Sequence, residues 1–305
     1  MPLEADQAVD RRRLKRRLSF WRAAAVIAVA ALAIVAVARN RSALMPLVEK
    51  PHVERLAVDG VISEDPERSL ALKEVAKNDR VKALIVAINS PGGTVVGSEA
   101  LFRELRTIAA KKPVVAVMGT LAASGGYMTA IAADHIVARD GTITGSIGVI
   151  MQTADVTGLL DKLGIKAEAI KSAPLKAVPS PLEPLTPAGR AATQAVVMDM
   201  YDMFVGMVAD RRGLAPEEAK KLADGRIYTG RQAVAVKLVD EIGGEDEARA
   251  WLESARGVPA SLPISDVKID RDSKDVLGLV GGMIGKALFS ERLTLDGLVA
   301  LWHPE

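Results

Sequence analysis

The sequence predicts an α/β domain built on largely parallel strands, and three patterns carry that prediction. Aliphatic runs at 82–88 and 113–118 suit strands buried on both faces. Stretches of helical pattern at 66–77, 98–110 and 124–133 alternate with them. Glycine-bearing loops follow both aliphatic runs, at the carboxyl ends of strands where such folds place functional groups.

The chain has 305 residues and is 49% hydrophobic, which supports one sizeable core with appendages. Its 40 basic and 38 acidic residues nearly cancel, so no general basic field for nucleic acid exists. The absence of cysteine excludes disulfides and thiol catalysis. Histidines occur only at 52, 135 and 303, without a ligand set around them, so neither a metal nor another cofactor is expected.

From the amino end, seven cations (Arg11, Arg12, Arg13, Lys15, Arg16, Arg17 and Arg22) stand without an intervening acid. Sixteen residues free of polar side chains follow at 23–38, preceded by Phe20 and Trp21 as interfacial anchors. With its flanks this stretch reaches the lower limit for crossing a bilayer, about 17 residues. The basic block then stays cytoplasmic and the rest lies on the far side. A signal anchor, a cleaved signal peptide ending at Ala36 and Ala38, and a buried core helix are the three readings. The resulting organisation is a basic cytoplasmic segment at 1–22, a transmembrane anchor at 23–38, a linker at 39–52, a catalytic domain at 53–256 and an extension at 257–305.

Residues 53–58 alternate as a strand, and 136–138, 148–151 and 167–170 are further strand candidates. After Pro179, Pro181 and Pro184, Thr186 and Pro187 open a helix that ends before Gly213. That helix carries Met198, Met200, Met203, Phe204, Met207 and Val208, either as core or as a subunit surface. Thr229 caps a helix starting near Gly230, and 276–288 and 293–302 read as amphipathic helices.

The chemistry concentrates in the two loops. Asn89-Ser90-Pro91-Gly92-Gly93-Thr94 turns backbone N–H groups outward, or is simply a strand-to-helix turn. It lacks the glycine spacings of nucleotide-binding loops. Ser124 heads Ser124-Gly125-Gly126 among small residues, as a nucleophile or as an ordinary helix cap. Together the loops place a nucleophile and oxyanion donors around one carbonyl. With few imidazoles available, the proton acceptor expected for such a serine is a desolvated lysine, and Lys176 lies fifty-two residues on. At a reference pKa of about 10.4, only about one lysine amine in 2,500 is neutral at pH 7, a handicap of about 4.6 kcal/mol. Burial among Ala173, Pro174, Leu175, Ala177, Val178 and Pro179 is expected to remove most of it. Lys171 is the rival base.

These residues resemble the signal peptide peptidase SppA family, membrane-tethered serine-lysine proteases related in fold to the ClpP and crotonase group with its repeated ββα units. The resemblance rests on Asn89-Ser90-Pro91-Gly92-Gly93, Ala123-Ser124-Gly125-Gly126-Tyr127, Thr144-Gly145-Ser146-Ile147-Gly148-Val149, Ile170-Lys171-Ser172 with Lys176, and the block 223–233. It runs from about 53 to 244 in one copy, as in the family's short form. It implies Ser124 as nucleophile, Lys176 as general base, Gly93 as oxyanion glycine and Ser146 as a serine that hydrogen-bonds the lysine amine or, alternatively, caps a turn. Gly125, directly after the nucleophile, is a second oxyanion donor by analogy with related acyl-transfer sites. Ala177 stands where family members often carry an aspartate.

The family further implies a homo-oligomer in which one protomer's serine faces its neighbour's lysine. The expected function is a membrane-anchored serine endopeptidase degrading remnant signal peptides or other hydrophobic peptides, held in the inner membrane of a bacterium with its catalytic domain in the periplasm. The alternatives are a crotonase-like acyl-CoA enzyme and a catalytically silent membrane scaffold.

Overall fold

The alternation at 53–58 and the aliphatic run at 82–88 become adjacent parallel strands, β1 (His52–Ile62) and β2 (Val81–Thr94). The computed structural model describes residues 21–22, 25–30, 50–270 and 299–301. The chain divides into two units, 1–50 and 51–305. In the first, residues 21–22 and 25–30 are helical and exposed, including Val26, Ile27 and Val29. Most of the span expected at 23–38, and nearly all of the basic segment before it, lie outside the described residues. Among those described, no helix is long and apolar enough to cross a membrane.

In the second unit, β3 (Val114–Ala123) lies parallel to β2, giving the order β6-β5-β3-β2-β1-β8. The outer edge of β3 is shared: β4 (His135–Ala138) pairs with its first half and β5 (Ile143–Gly145) with its last three residues, both parallel. β6 (Ile227–Thr229) runs antiparallel to β5, β7 (Glu241–Ile242) extends β4, and β8 (Ile264–Asp266) borders β1.

Alternation along the central strands fills both faces. Leu84, Val86 and Ile88 share one cluster with Leu101 and Leu105 of α2 (Val95–Ala109), while Ala83 and Ile85 share another with Leu252. The aliphatic run is continuous because both faces are covered. α1 (Pro66–Lys77) starts at Asp65, which accepts from Arg68 N–H, and α2 starts at Thr94, which accepts from Gly97 N–H. α3 (Gly125–Ala130) is wholly buried, and α4 (Thr157–Lys162) is exposed. α5 (Pro187–Arg212) opens on Thr186 with Pro187 first and closes on left-handed Gly213, as its sequence predicts. Phe204 and Val208 of α5 are core, Met200 and Met203 pack on Val95, and Met198 stays exposed. α6 (Pro216–Leu222), α7 (Gly230–Ala235) and α8 (Glu245–Arg256) complete the unit, and Thr229 caps α7 through a reciprocal pair with Gln232.

The structure departs from the sequence expectation in four places. Residues 89–94 and 119–123 are strand rather than loop, because β1 pairs on to Gly93 and β5 holds β3 to Ala123, and Ser124 alone makes the turn into α3. The helix expected at 124–133 spans only the six residues of α3. Neither 148–151 nor 167–170 forms a strand; β5 takes that role earlier, where it can bridge β3 and β6. The helix expected at 293–302 is contradicted at Val299–Leu301, which forms β9 antiparallel to Gly92–Thr94. The helix expected at 276–288 lies outside the described residues.

Tyr127 fixes α3 from beneath: it is fully buried and its hydroxyl donates to Leu238 O at 2.9 Å. Tyr127→Phe leaves that carbonyl without its phenolic partner and is expected to lower stability by about 1–3 kcal/mol, read as a lower urea midpoint.

Candidate active site

β3 delivers the chain to Ser124 and α3 carries it away, and the junction is strained. Ser124 has φ 55 and ψ −119, a conformation that an L-residue occupies at a cost of about 1–3 kcal/mol. Two backbone bonds enforce it. Ser124 N–H donates to Gly145 O at 2.8 Å, and Met128 N–H donates to Ser124 O at 2.9 Å. The side chain makes no capping hydrogen bond, so the ordinary helix-cap role is not realised. At 1% exposure the residue is enclosed by its own chain.

The Gly92–Gly93 stretch reaches the same place from β2. Ser90, fully buried, pairs with Ala122 two residues before Ser124. Gly126 must lack a side chain, since a Cβ there would stand 2.7 Å from Ser90 O. Gly93 must lack one because a Cβ would meet Ile62 O at 1.7 Å. Past its last pairing with β3, β2 takes β1 on one side at Gly92–Gly93 and β9 on the other at Gly92–Thr94.

Ser146 follows Gly145 on a left-handed turn of φ 48, and its N–H donates to Arg226 O at 2.8 Å. This gives the block at 223–233 its place: β6 and Arg226 hold the turn that carries Ser146, and Tyr228 packs where a Cβ on Gly145 would stand. Thr144, which sequence reasoning passed over, is buried and donates to Ala122 O at 2.7 Å, tying β5 to the end of β3.

Lys176 is placed differently. It lies with Ala173, Pro174, Leu175 and Ala177 in an exposed stretch, so among the described residues the burial expected from those neighbours is not found. Among the described residues no side-chain hydrogen bond joins it to Ser124. Its rival Lys171 is paired with Glu183 and only 14% of its side chain is exposed. The fold does desolvate Lys112, whose amine donates to Asn78 O and is shifted below the usual lysine range by burial. Lys112 sits just before β3 begins, at the opposite end of that strand from Ser124. Among the described residues no group of three or more histidine and carboxylate side chains is arranged to hold a metal. His135 instead contacts Glu241 at 3.1 Å and stacks on Trp251.

A serine held on a strained strand-to-helix turn, beside a glycine strand of a mixed α/β sheet, supports the chemistry of a serine hydrolase. The model of peptidase family S49 matches residues 106–259. A Synechocystis protein with a provisional protease name is 42% identical over 208 residues, covering 68% of this chain and 75% of its own. An Enterococcus faecium protein provisionally named signal peptide peptidase SppA is 33% identical over 252 residues, covering 77% and 71%. The chloroplastic serine protease SPPA of Arabidopsis thaliana is 32% identical over 229 residues, covering 75% and 34%. The chain belongs to peptidase family S49 and is a serine-type peptidase. That membership decides against the acyl-CoA alternative.

The backbone strain predicts a stability difference between two variants of Ser124. Ser124→Gly, free to adopt φ 55, is expected to be more stable than Ser124→Ala by about 1 kcal/mol in urea denaturation.

Proposed function

We propose that the protein is a membrane-anchored endopeptidase in which Ser124 attacks the scissile carbonyl and Lys176 takes its proton. Gly93 and Gly125 donate to the developing oxyanion, and Ser146 hydrogen-bonds the lysine amine. The observation that carries this reading is the strained turn at Ser124, whose side chain is committed to no cap. An acyl-enzyme forms on Ser124 Oγ as the amine product leaves with a proton, and water then releases the acyl group.

Lys176 comes from a neighbouring protomer. Support lies in its exposure and in the exposed apolar residues of the same region of chain, Leu163, Ile165, Ile170, Leu175 and Leu182. A neighbour covering this stretch would supply the desolvation that a general-base amine needs. The finer fold assignment, to the ClpP and crotonase group with its repeated ββα units, agrees with an oligomer of this kind. The catalytic domain runs from 53 to 256.

The substrates are hydrophobic peptides, remnant signal peptides among them. The pairing of β9 with Gly92–Thr94 supports binding of an extended peptide, since that edge accepts an antiparallel strand beside Gly93. The basic segment and the apolar stretch at 23–38 anchor the chain in the inner membrane with the catalytic domain on the periplasmic side.

Ser124→Ala and Lys176→Ala are each expected to reduce peptide hydrolysis by at least about 1,000-fold while leaving the oligomer intact by size-exclusion chromatography. Full activity in either variant overturns the dyad. A serine-reactive peptide phosphonate is expected to add to Ser124, read by mass spectrometry of the adduct.

A further inference from the structure

The side chain that shapes the glycine strand is one the proposed dyad does not use. Along β1 and β2 the register runs evenly from Val53↔Ala83 to Asp59↔Asn89 and resumes at Val61↔Gly92, so Ser90 and Pro91 stand opposite Gly60 alone. This bulge turns the strand immediately before Gly93, as bulges beside active sites re-aim the backbone. The Ser90 hydroxyl closes it. Its Oγ donates to Gly60 O at 2.6 Å and accepts from Gly92 N–H at 3.1 Å. Gly60 and Gly92 both have positive φ, at 70 and 105, so the hydroxyl pins two left-handed residues across the bulge. On its other side Ser90 pairs with Ala122, and its carbonyl lies where a Cβ on Gly126 would stand. Ser90 therefore touches the turn bearing Gly93 and the helix start after Ser124 together.

We propose that Ser90 is a positioning residue that sets the Gly93 N–H relative to Ser124, so that its hydroxyl contributes to oxyanion stabilisation without touching substrate. The proposal rests on the assignment of Gly93 and Ser124 given above. A group that orients an oxyanion donor acts on the transition state more than on ground-state binding. Removing it lowers kcat and weakens ligands that carry an oxyanion, while KM for a peptide stays nearly constant.

The test uses the full-length oligomer, with active sites counted by peptide phosphonate. Ser90→Ala is expected to lower kcat per titrated site about 10- to 100-fold and to weaken a peptide aldehyde, which binds as a hemiacetal, by a similar factor. KM is expected to change less than about threefold. Ser90→Cys, a weaker acceptor of similar shape, gives the same split in milder form and replaces the alanine variant if that fails to fold. Unchanged kcat per site and unchanged aldehyde affinity in a folded variant overturn the proposal, even if thermal stability falls. A rise in KM equal to the loss in kcat/KM overturns it as well. Phosphonate labelling in the wild-type protein separates the two levels: adduct on Ser124 with an indifferent Ser90 sinks only the positioning role, whereas no adduct on Ser124 sinks the site assignment and this role with it.

Discussion

The left-handed backbone at Ser124 is held by a bond from its N–H to Gly145 O, and much of the local sequence answers to that bond. Gly145 can offer its carbonyl only because β5 pairs with the last three residues of β3. β5 in turn is anchored by Thr144 to Ala122 O and by β6 on its free edge. Gly126 must be small for α3 to leave the turn past Ser90, and Tyr127 locks that helix to Leu238. Strain of this kind persists only where the surroundings over-determine the conformation. Here two strand edges, a buried threonine and a buried tyrosine do so.

The strands that carry Ser124 and Gly93 contrast with the stretch that carries Lys176. Ser124, Gly93 and Ser146 all sit on backbone fixed by neighbouring strands, whereas Lys176 lies in a stretch whose apolar side chains face solvent. In the proposed assembly a neighbouring protomer would cover this exposed stretch.

Local signals were legible in the sequence. The caps at Thr186 and Thr229, the proline opening of α5 and its end at Gly213 each depend on a few neighbouring residues and match the structure. The buried strands were legible in kind from their aliphatic runs, though not in length. Their extension to Thr94 and Ala123 depends on pairing with β1 and β5, which composition does not encode. The same holds for β9: 293–302 has enough apolar residues for a helix, and a strand partner decided otherwise at Val299–Leu301. The small residues around Ser124 were legible as an open turn, but its strain was not. Ser90 went unremarked as a functional group because a serine before Pro-Gly-Gly reads as turn chemistry until its partners, thirty residues upstream and two downstream, are known.

The proposed mechanism turns on where the amine that serves Ser124 comes from. Differently tagged protomers, one carrying Ser124→Ala and the other Lys176→Ala, can be co-assembled, isolated through both tags and assayed for peptide hydrolysis. Recovery of activity in the mixed particle, where an intact serine meets an intact lysine from its neighbour, is the predicted result. A mixed particle as inactive as its two parents would contradict it.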